Sequence, residues 1–249
     1  TFRDDIYSLY KANRSAPPED LVPQFEKIFE MVGAFNIPQV QLEGFEADDL
    51  MGTISKEAEK QEARVVLVTG DKDFCQLVSD KVTLLDTMKN KITDIDQVRE
   101  KYGVSPDRVI DVFALAGDAV DNIPGVKGIG EKTAVSLISK FGSLDELFEN
   151  LEDVTKRQKT LLEEKREDAA LSKELVTIKT DVNIDTALNN FEYKGFDSGK
   201  LREIFQELEF KNLLNELGDE QGQEDENSEI IRDQSSVSYD NYKLILNEK

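Results

Sequence analysis

The stretch Arg64-Val65-Val66-Leu67-Val68-Thr69-Gly70-Asp71-Lys72-Asp73 decides the fold that the sequence predicts. Its first six residues form a nearly continuous apolar run, which is typical of a strand buried on both faces of a parallel sheet. Gly70 ends the run, and two aspartates follow at the carboxyl end of the strand. Open α/β sheets place their functional sites at this end. The stretch therefore predicts a parallel α/β fold with an acidic site beside it.

The elements on either side of this stretch predict an α/β half followed by a helical half. In the first half we expect a helix from Pro18 with the apolar stripe Leu21, Phe25, Ile28, Phe29 and Val32, a strand at 37–42, a helix from Glu46 to about Lys60, and a strand from Val82 to Leu85. In the second half we expect helices at Gln97–Tyr102, Pro106–Ala116, Glu131–Lys140, Leu144–Leu151, Thr155–Glu163, Asp168–Ile178, Gly199–Leu208 and Asn212–Leu217.

Two further acidic clusters accompany Asp71 and Asp73. They are Glu46-Ala47-Asp48-Asp49 and Gly117-Asp118-Ala119-Val120-Asp121-Asn122. Each cluster alone has an ordinary explanation, as an acidic first turn of a helix or as an Asx turn. Carboxylates that converge from several loops repel one another unless a cation lies between them, and oxygen ligands suit Mg²⁺ or Mn²⁺. Taken together, the three clusters predict a metal site.

A glycine-rich segment follows the last cluster directly. The segment is Ile123-Pro124-Gly125-Val126-Lys127-Gly128-Ile129-Gly130-Glu131-Lys132-Thr133-Ala134. An ordinary turn between helices needs one glycine, whereas this segment has three glycines and two lysines, as a helix-hairpin-helix motif does. Such a hairpin holds phosphates through backbone N–H groups and reads no base sequence. Metal ligands beside a phosphate grip indicate phosphodiester chemistry.

Composition narrows the function further. The 249 residues include no histidine, which excludes Ser-His-Asp and Cys-His catalysis and histidine-bound zinc. The formal charge of −21 argues against nucleic-acid binding through bulk charge. The single cysteine, Cys75, fits a reducing cytoplasm, and no run of about 18 apolar residues predicts a membrane span. Residues 218–236 read as an acidic linker, because six acidic and no basic residues fall between Asp219 and Glu229.

Residues 1–217 closely resemble the 5′-nuclease domains of bacterial DNA polymerase I, which belong to the flap endonuclease family. The motifs that carry the resemblance occur in the family's order: Thr1-Phe2-Arg3, Tyr10-Lys11-Ala12-Asn13-Arg14, Gly44-Phe45-Glu46-Ala47-Asp48-Asp49, Thr69-Gly70-Asp71-Lys72-Asp73, and Gly117-Asp118 through Thr133-Ala134. The resemblance implies a PIN-like nuclease core and two-metal hydrolysis of phosphodiester bonds at 5′ flaps and nicks in DNA, during replication and repair.

The resemblance also assigns roles to individual residues. It implies two Mg²⁺ or Mn²⁺ ions, and K⁺ at the hairpin. Lys11 and Arg14 would lie on a helical arch and act on the scissile phosphate. The implied metal ligands are Glu46, Asp48, Asp49, Asp71, Asp73, Asp118 and Asp121. The implied DNA contacts are Arg3, Tyr10, Gly125, Lys127, Gly128, Gly130, Lys132 and Thr133.

Four segments are expected on this basis. They are a nuclease core with a helical arch at 1–93, a helix-hairpin-helix DNA-binding region at 94–217, the linker at 218–236, and the start of a proofreading-type domain at 237–249. The family's first strand and two of its aspartates have no counterpart here, so the chain is expected to be a piece of a longer protein, weakly active by itself. The remaining polymerase chain in cis, a monomeric state and a bacterial cytoplasm near the nucleoid are expected as well.

Two interpretations from other classes are left open. Asp71-Lys72-Asp73 and Gly117-Asp118 with Asp121 resemble the motifs of haloacid dehalogenase-type phosphatases, although that family has no use for the glycine hairpin. Alternatively, the hairpin belongs to a DNA-binding module without catalysis, in which the carboxylates are structural caps. Cleavage of a flap substrate in the presence of Mg²⁺ separates these interpretations from the nuclease.

Overall fold

The computed structural model describes residues 1–218, which fall into two compact units. The first unit comprises Thr1–Ala16 and Val40–Leu188, and the second comprises Pro17–Gln39 and the described residues from Asn189 onward. The predicted linker beyond residue 218 and the predicted start of a following domain lie outside the described residues. Within the described part, no helix is long and apolar enough to cross a membrane.

A three-stranded sheet forms the α/β part of the first unit. Strand β1 (Val65–Val68) pairs in parallel with β2 (Val82–Asp86), from Val65 opposite Val82 to Val68 opposite Leu85. Both strands were predicted, and their pairing confirms the parallel sheet. The expected burial of β1 on both faces is wrong, because Leu67 is buried but Val68 is 59% exposed. Strand β3 (Lys91–Thr93) pairs antiparallel to β2. It was not predicted, because three residues are too few to show a hydrophobic period.

The helices of the first unit agree with the prediction to within a few residues. Helix α3 begins after its N-cap Glu46, whose backbone N–H donates a hydrogen bond of 3.1 Å to the side-chain oxygen Oδ2 of Asp49 in the first turn. The helices are α1 (Phe2–Ile6), α3 (Ala47–Lys60), α4 (Ile95–Tyr102), α5 (Val109–Ala116), α6 (Glu131–Phe141), α7 (Leu144–Glu149), α8 (Lys156–Glu164) and α9 (Arg166–Val176). The short α1 was not predicted.

Helix α5 lies at the centre of the first unit. It packs against α6 and α9, and Val109, Val112 and Leu115 have no exposed surface. Phe113 meets Tyr102 of α4 edge to face, with ring centroids 5.5 Å apart. Because α5 is apolar on nearly every side, it is fixed in the core, and the acidic loop at its carboxyl end is held in one position.

The second unit contains α2 (Val22–Ala34), α10 (Ser198–Glu207) and α11 (Lys211–Glu216). Its core is formed by Ala34, Leu201, Ile204 and Phe205, with Met31, Phe35, Phe196, Leu208, Leu214 and Leu217 packed around them. This grouping of α2 with two late helices differs from the predicted division after residue 93.

Three predictions between residues 18 and 42 are wrong. Helix α2 begins at Val22 instead of Pro18, because a second proline, Pro23, occupies the first helical turn. The face that carries the predicted apolar stripe is exposed, with Phe25 at 43% and Phe29 at 58%. Residues 37–42 form no strand, and Pro38 has no N–H to donate to a strand ladder.

Candidate active site

The three acidic clusters lie close together in the structure. Burial raises the pKa of Asp73 to about 7, and the charges of Asp71, Asp118 and Asp121 raise it as well. The pKa of Asp48 is also raised, by burial and then by Asp71. Ion pairs show the convergence directly. Lys11 Nζ lies 2.7 Å from Glu46 Oε1 and 3.8 Å from Asp121 Oδ2, and Lys72, between Asp71 and Asp73, lies 2.8 Å from Asp118 Oδ2. Side chains from three separate loops therefore share one site.

Asp71 and Asp73 lie just beyond the carboxyl end of β1, as the sequence predicted. Asp71 caps the 3-10 turn Lys72–Leu77, and its Oδ1 accepts a hydrogen bond of 3.0 Å from the backbone N–H of Asp73. This Asx-type turn fixes the spacing of the two carboxylates.

Two glycines position the loop that carries Asp118 and Asp121. Helix α5 ends at Gly117, where φ is +69°, and Gly125 has φ of +56°. A Cβ atom built on Gly117 would lie 2.6 Å from the Ile123 carbonyl oxygen and 2.8 Å from the Gly125 nitrogen. The two backbones therefore touch, and only glycine allows this approach. Asp118 Oδ1 accepts hydrogen bonds from the N–H groups of Val120 at 2.7 Å and Asp121 at 3.3 Å.

Three basic side chains pair with carboxylates of the site. Lys11 Nζ lies 2.7 Å from Glu46 Oε1, and Lys72 Nζ lies 2.8 Å from Asp118 Oδ2. Arg14 forms an ion pair with Asp121. Lys11 and Arg14, which were predicted to act on phosphate, thus form ion pairs in this structure with carboxylates that were predicted to bind metal.

The segment that carries Lys11 and Arg14 is not helical, which corrects the predicted helical arch at this point. Residues 7–16 form turns and extended backbone, and Lys11 has φ of +54°. Backbone contacts fasten the segment to the third acidic loop: Lys11 N–H donates to the Asp121 carbonyl at 2.9 Å, and Asn122 Nδ2 donates to the Leu9 carbonyl at 2.6 Å. Lys11 and Arg14 are therefore positioned by that loop.

The predicted roles of Arg3 and Asp49 are not supported by the structure. Both are buried, at 2% and 0% exposure, and the guanidinium nitrogens Nη1 and Nη2 each lie 2.8 Å from a different oxygen of Asp49. Asp49 also accepts hydrogen bonds from the backbone N–H groups of Lys179 and Glu46, at 2.9 and 3.1 Å. Since its oxygens are already engaged and Arg3 is enclosed, this ion pair stabilises the fold.

Tyr10, which was predicted to contact DNA, is also buried. Its hydroxyl donates a hydrogen bond of 3.2 Å to Glu46 Oε2, and burial raises its pKa to about 12. Tyr10 is thus a neutral donor that orients Glu46.

The glycine hairpin divides into a buried and an exposed part. Gly125 is buried, and its N–H donates to Ser172 Oγ at 2.8 Å, so it is not free to bind a phosphate as predicted. Lys127, Gly128, Gly130 and Lys132 are exposed, and Thr133 is half-buried in the first turn of α6. A Cβ atom on Gly130 would meet no atom within 4 Å, so the backbone here is open to an outside partner.

The carboxylates suit a hard divalent cation in donor type, but their oxygens are partly engaged. Every donor is an oxygen, which is the ligand type that hard divalent cations prefer. The pKa of Asp73 is raised first by burial and then by the charge of Asp71, and a bound cation would oppose both effects. Within residues 1–218, no group of three or more acidic or thiol side chains is arranged to hold an ion as it stands. The lysine and arginine partners of Glu46, Asp118 and Asp121 account for this, because an ion would have to displace or share them.

Two family models match consecutive parts of the chain. The model of the 5′-3′ exonuclease N-terminal resolvase-like domain matches residues 1–103, and that of the 5′-3′ exonuclease C-terminal SAM fold matches residues 104–199. These matches confirm the predicted fold class, an α/β nuclease core followed by a helical region.

Relatives among curated proteins are DNA polymerases. The chain is 44% identical over 221 residues to DNA polymerase I of Rhizobium leguminosarum, covering 88% of this chain and 22% of the relative. It is 41% identical over 236 residues to DNA polymerase I of Bacillus subtilis, covering 92% of this chain and 27% of the relative. The chain thus spans about a quarter of the length of the curated relatives it matches.

Solved structures from a bacteriophage protein and from Rad2 share the fold of this chain. The T5 D15 protein co-crystallised with metal ions has a TM-score of 0.62 and 25% identity, covering 82% of this chain and 79% of that one. The catalytic core of Rad2 in complex with DNA has a TM-score of 0.55 and 16% identity, covering 87% and 74%. The likeness to Rad2 shows the fold alone.

Proposed function

This chain belongs to the 5′-3′ exonuclease family, and we propose that it is the structure-selective 5′-nuclease of a bacterial DNA polymerase I. Its reaction would be hydrolysis of phosphodiester bonds at 5′ flaps and nicks in DNA. One observation carries the proposal: ion pairs link carboxylates from three loops within one site, and a glycine-rich hairpin with exposed backbone follows the third loop directly. The hairpin and the family match favour a nuclease over a phosphatase of the haloacid dehalogenase type.

We propose that six carboxylates hold two divalent ions, Mg²⁺ or Mn²⁺. The ligands would be Glu46, Asp48, Asp71, Asp73, Asp118 and Asp121, and Asp49 is left out because Arg3 already binds it. The T5 5′-exonuclease, 26% identical to this chain, has a solved structure with divalent zinc ions bound. Divalent ions in such a site activate water and neutralise the charge of the leaving oxygen.

The basic side chains at the edge of the site would act on the DNA backbone. Lys11 and Arg14 would exchange their carboxylate partners for the scissile phosphate, whose charge increases in the transition state. Arg14 is suited to this exchange because its side chain is half exposed while it pairs with Asp121. Tyr10 would keep Glu46 oriented during the exchange.

The exposed part of the hairpin would grip the duplex on one side of the cut. Backbone N–H groups near Gly128 and Gly130, with Lys127, Lys132 and Thr133 beside them, would contact phosphates without reading bases. K⁺ is the proposed cation at this grip. The remaining polymerase chain in cis, a monomeric state and a place in the cytoplasm near the nucleoid complete the proposal.

Cleavage of a 5′-flap duplex in Mg²⁺ by the full-length protein tests the proposed function, because the chain by itself is expected to be weakly active. We expect Asp71→Asn and Asp118→Asn to abolish cleavage while leaving duplex binding nearly unchanged, because the hairpin does not depend on either carboxylate. Asp96→Asn is the control, since its side chain is 86% exposed and lies outside the acidic clusters. Robust cleavage by the Asp71 variant would contradict the ligand assignment. Duplex binding without cleavage in Mg²⁺ or Mn²⁺ would instead support a binding module.

A further inference from the structure

Lys72 lies between two of the proposed ligands and pairs with a third. Its Nζ is 2.8 Å from Asp118 Oδ2 and 5.2 Å from the centroid of the Phe113 ring. Neighbouring Asp71 and Asp73 belong to the same turn, which begins at Lys72. Neither the metal ligands nor the phosphate contacts proposed above include this lysine.

The oxygen that Lys72 contacts is the one that an ion would use. Asp118 Oδ1 already accepts two backbone hydrogen bonds, from Val120 and Asp121. These bonds belong to the loop itself and persist as long as the loop keeps its conformation. Asp118 Oδ2 is therefore the oxygen available to a cation, and Lys72 is the cation that holds it.

The position of Lys72 also places its charge among the other carboxylates. Asp71 and Asp73 flank it in sequence, and its ammonium group lies 2.8 Å from Asp118 Oδ2. Lys72 thus supplies a positive charge to the acidic cluster of the metal-free site.

We propose that Lys72 is a built-in counter-cation, which occupies Asp118 Oδ2 in the metal-free protein and competes there with a divalent ion. Two consequences follow. The lysine ties the second acidic loop to the third when no ion is bound, and it lowers the affinity of the site for ions. This inference rests on the proposed function, which assigns Asp118 as a metal ligand.

Binding of Mn²⁺ to the 249-residue chain tests the inference without DNA and without any measure of cleavage. Free Mn²⁺ is followed by its electron paramagnetic resonance signal in wild type, Lys72→Met, Lys72→Gln and Lys72→Arg. We expect the two neutral variants to bind Mn²⁺ roughly tenfold more tightly, because a repelling charge a few ångströms from the ion has been removed. Lys72→Arg, which keeps the charge, should bind as wild type does.

Lys56→Met is the matched control. Lys56 pairs with Glu59 at 2.8 Å and its side chain is 39% exposed, the same values as for Lys72 with Asp118. We expect no change in Mn²⁺ affinity in this variant. In EDTA the Lys72→Met protein should have a lower Tm than wild type, since its carboxylates have lost their counter-charge, and Mn²⁺ should raise that Tm more than it raises the wild-type value.

Equal or weaker Mn²⁺ affinity in both neutral variants would overturn the inference, and weaker affinity would make Lys72 a positioning residue for Asp118. Lys72→Gln retains a hydrogen-bond donor, so it serves if Lys72→Met does not fold. Wild-type protein that binds Mn²⁺ while the variants bind it equally contradicts the inference alone. If neither wild type nor any Lys72 variant binds Mn²⁺, the proposed metal site is contradicted as well, whereas binding by the neutral variants alone supports the inference.

Discussion

The buried pair of Arg3 and Asp49 leads to a prediction about stability. Arg3 donates four hydrogen bonds: two to Asp49 at 2.8 Å, and one each to the carbonyls of Leu175 and Thr177 at 2.9 Å. Arg3→Met would leave both carbonyls without this donor and the Asp49 carboxylate without its counter-charge. We therefore expect the substitution to destabilise the protein.

The size of the effect follows from what remains around Asp49. Breaking a buried ion pair on one side lowers the free energy of unfolding by ~3–5 kcal/mol. Asp49 keeps its hydrogen bonds from the backbone of Lys179 and Glu46, so the lower end of that range, ~3 kcal/mol, is expected. Arg3→Met with Asp49→Leu should recover part of the loss, because no buried charge is left unpaired.

The dependence of stability on pH provides a second, independent test of the ion pair between Arg3 and Asp49. Burial raises the pKa of Asp49, but the hydrogen bonds from Arg3 and from the backbone lower it further, so the folded-state pKa lies below the usual value. In wild type this contribution to stability is present above about pH 4 and is lost as pH falls through the folded-state pKa. In Arg3→Met burial dominates, so the contribution of Asp49 should favour folding as pH falls.

Urea unfolding followed by circular dichroism at pH 7 and pH 5 measures both effects. Lys60→Met is the control, because Lys60 pairs with Glu57 at 3.0 Å while its side chain is 71% exposed. An exposed pair contributes ~0–1 kcal/mol. A loss below about 1 kcal/mol in Arg3→Met would refute the structural role of the pair.

Two more predictions concern the hairpin and the acidic cluster. Gly125→Ala should lower the free energy of unfolding by at least ~1–3 kcal/mol, because φ is +56° and the new Cβ would press on the Gly117 backbone. Gly130→Ala should be as stable as wild type, but its affinity for duplex DNA should fall by the same factor for unrelated base sequences. A lower Tm for Gly130→Ala than for Gly125→Ala would contradict this prediction. In EDTA, the stability of the wild-type protein should fall as the pH rises from about 4 to about 7. Burial, and then the charge of Asp71, raises the pKa of Asp73 to about 7 in the folded state, whereas the unfolded-state pKa is about 4. Asp73→Asn should reduce that slope in Tm measurements, and an identical slope would count against the raised pKa.

The elements that the sequence predicted correctly are those with a strong local signal. The apolar run before Gly70 predicts β1, and the helical periods of the second half give α4 to α11 within a few residues. The buried face of helix α2 was predicted incorrectly, because the residues that pack against it, such as Leu201 and Ile204, lie far along the chain. An apolar stripe shows that a helix has a face suited to burial, but not which face is covered.

The candidate site shows the same limit at the level of single side chains. Residue types and spacing predicted which loops carry carboxylates. Residue types and spacing did not predict which of those carboxylates forms an ion pair with a basic side chain. Arg3 and Asp49 are 46 positions apart in sequence, so their contact is present only in the folded protein. Asp48 and Asp49 are adjacent in sequence, yet only Asp49 forms the buried pair with Arg3.

The contact between the backbones of Gly117 and Gly125 sets a fixed length within the molecule. The loop with Asp118 and the exposed glycines at 128 and 130 are separated by only a few residues, and that contact prevents the two ends from drifting apart. If the exposed glycines grip a duplex as proposed, this contact keeps the gripped phosphates at a constant distance from the acidic loop. The cut would then fall at the same distance from the grip for every base sequence.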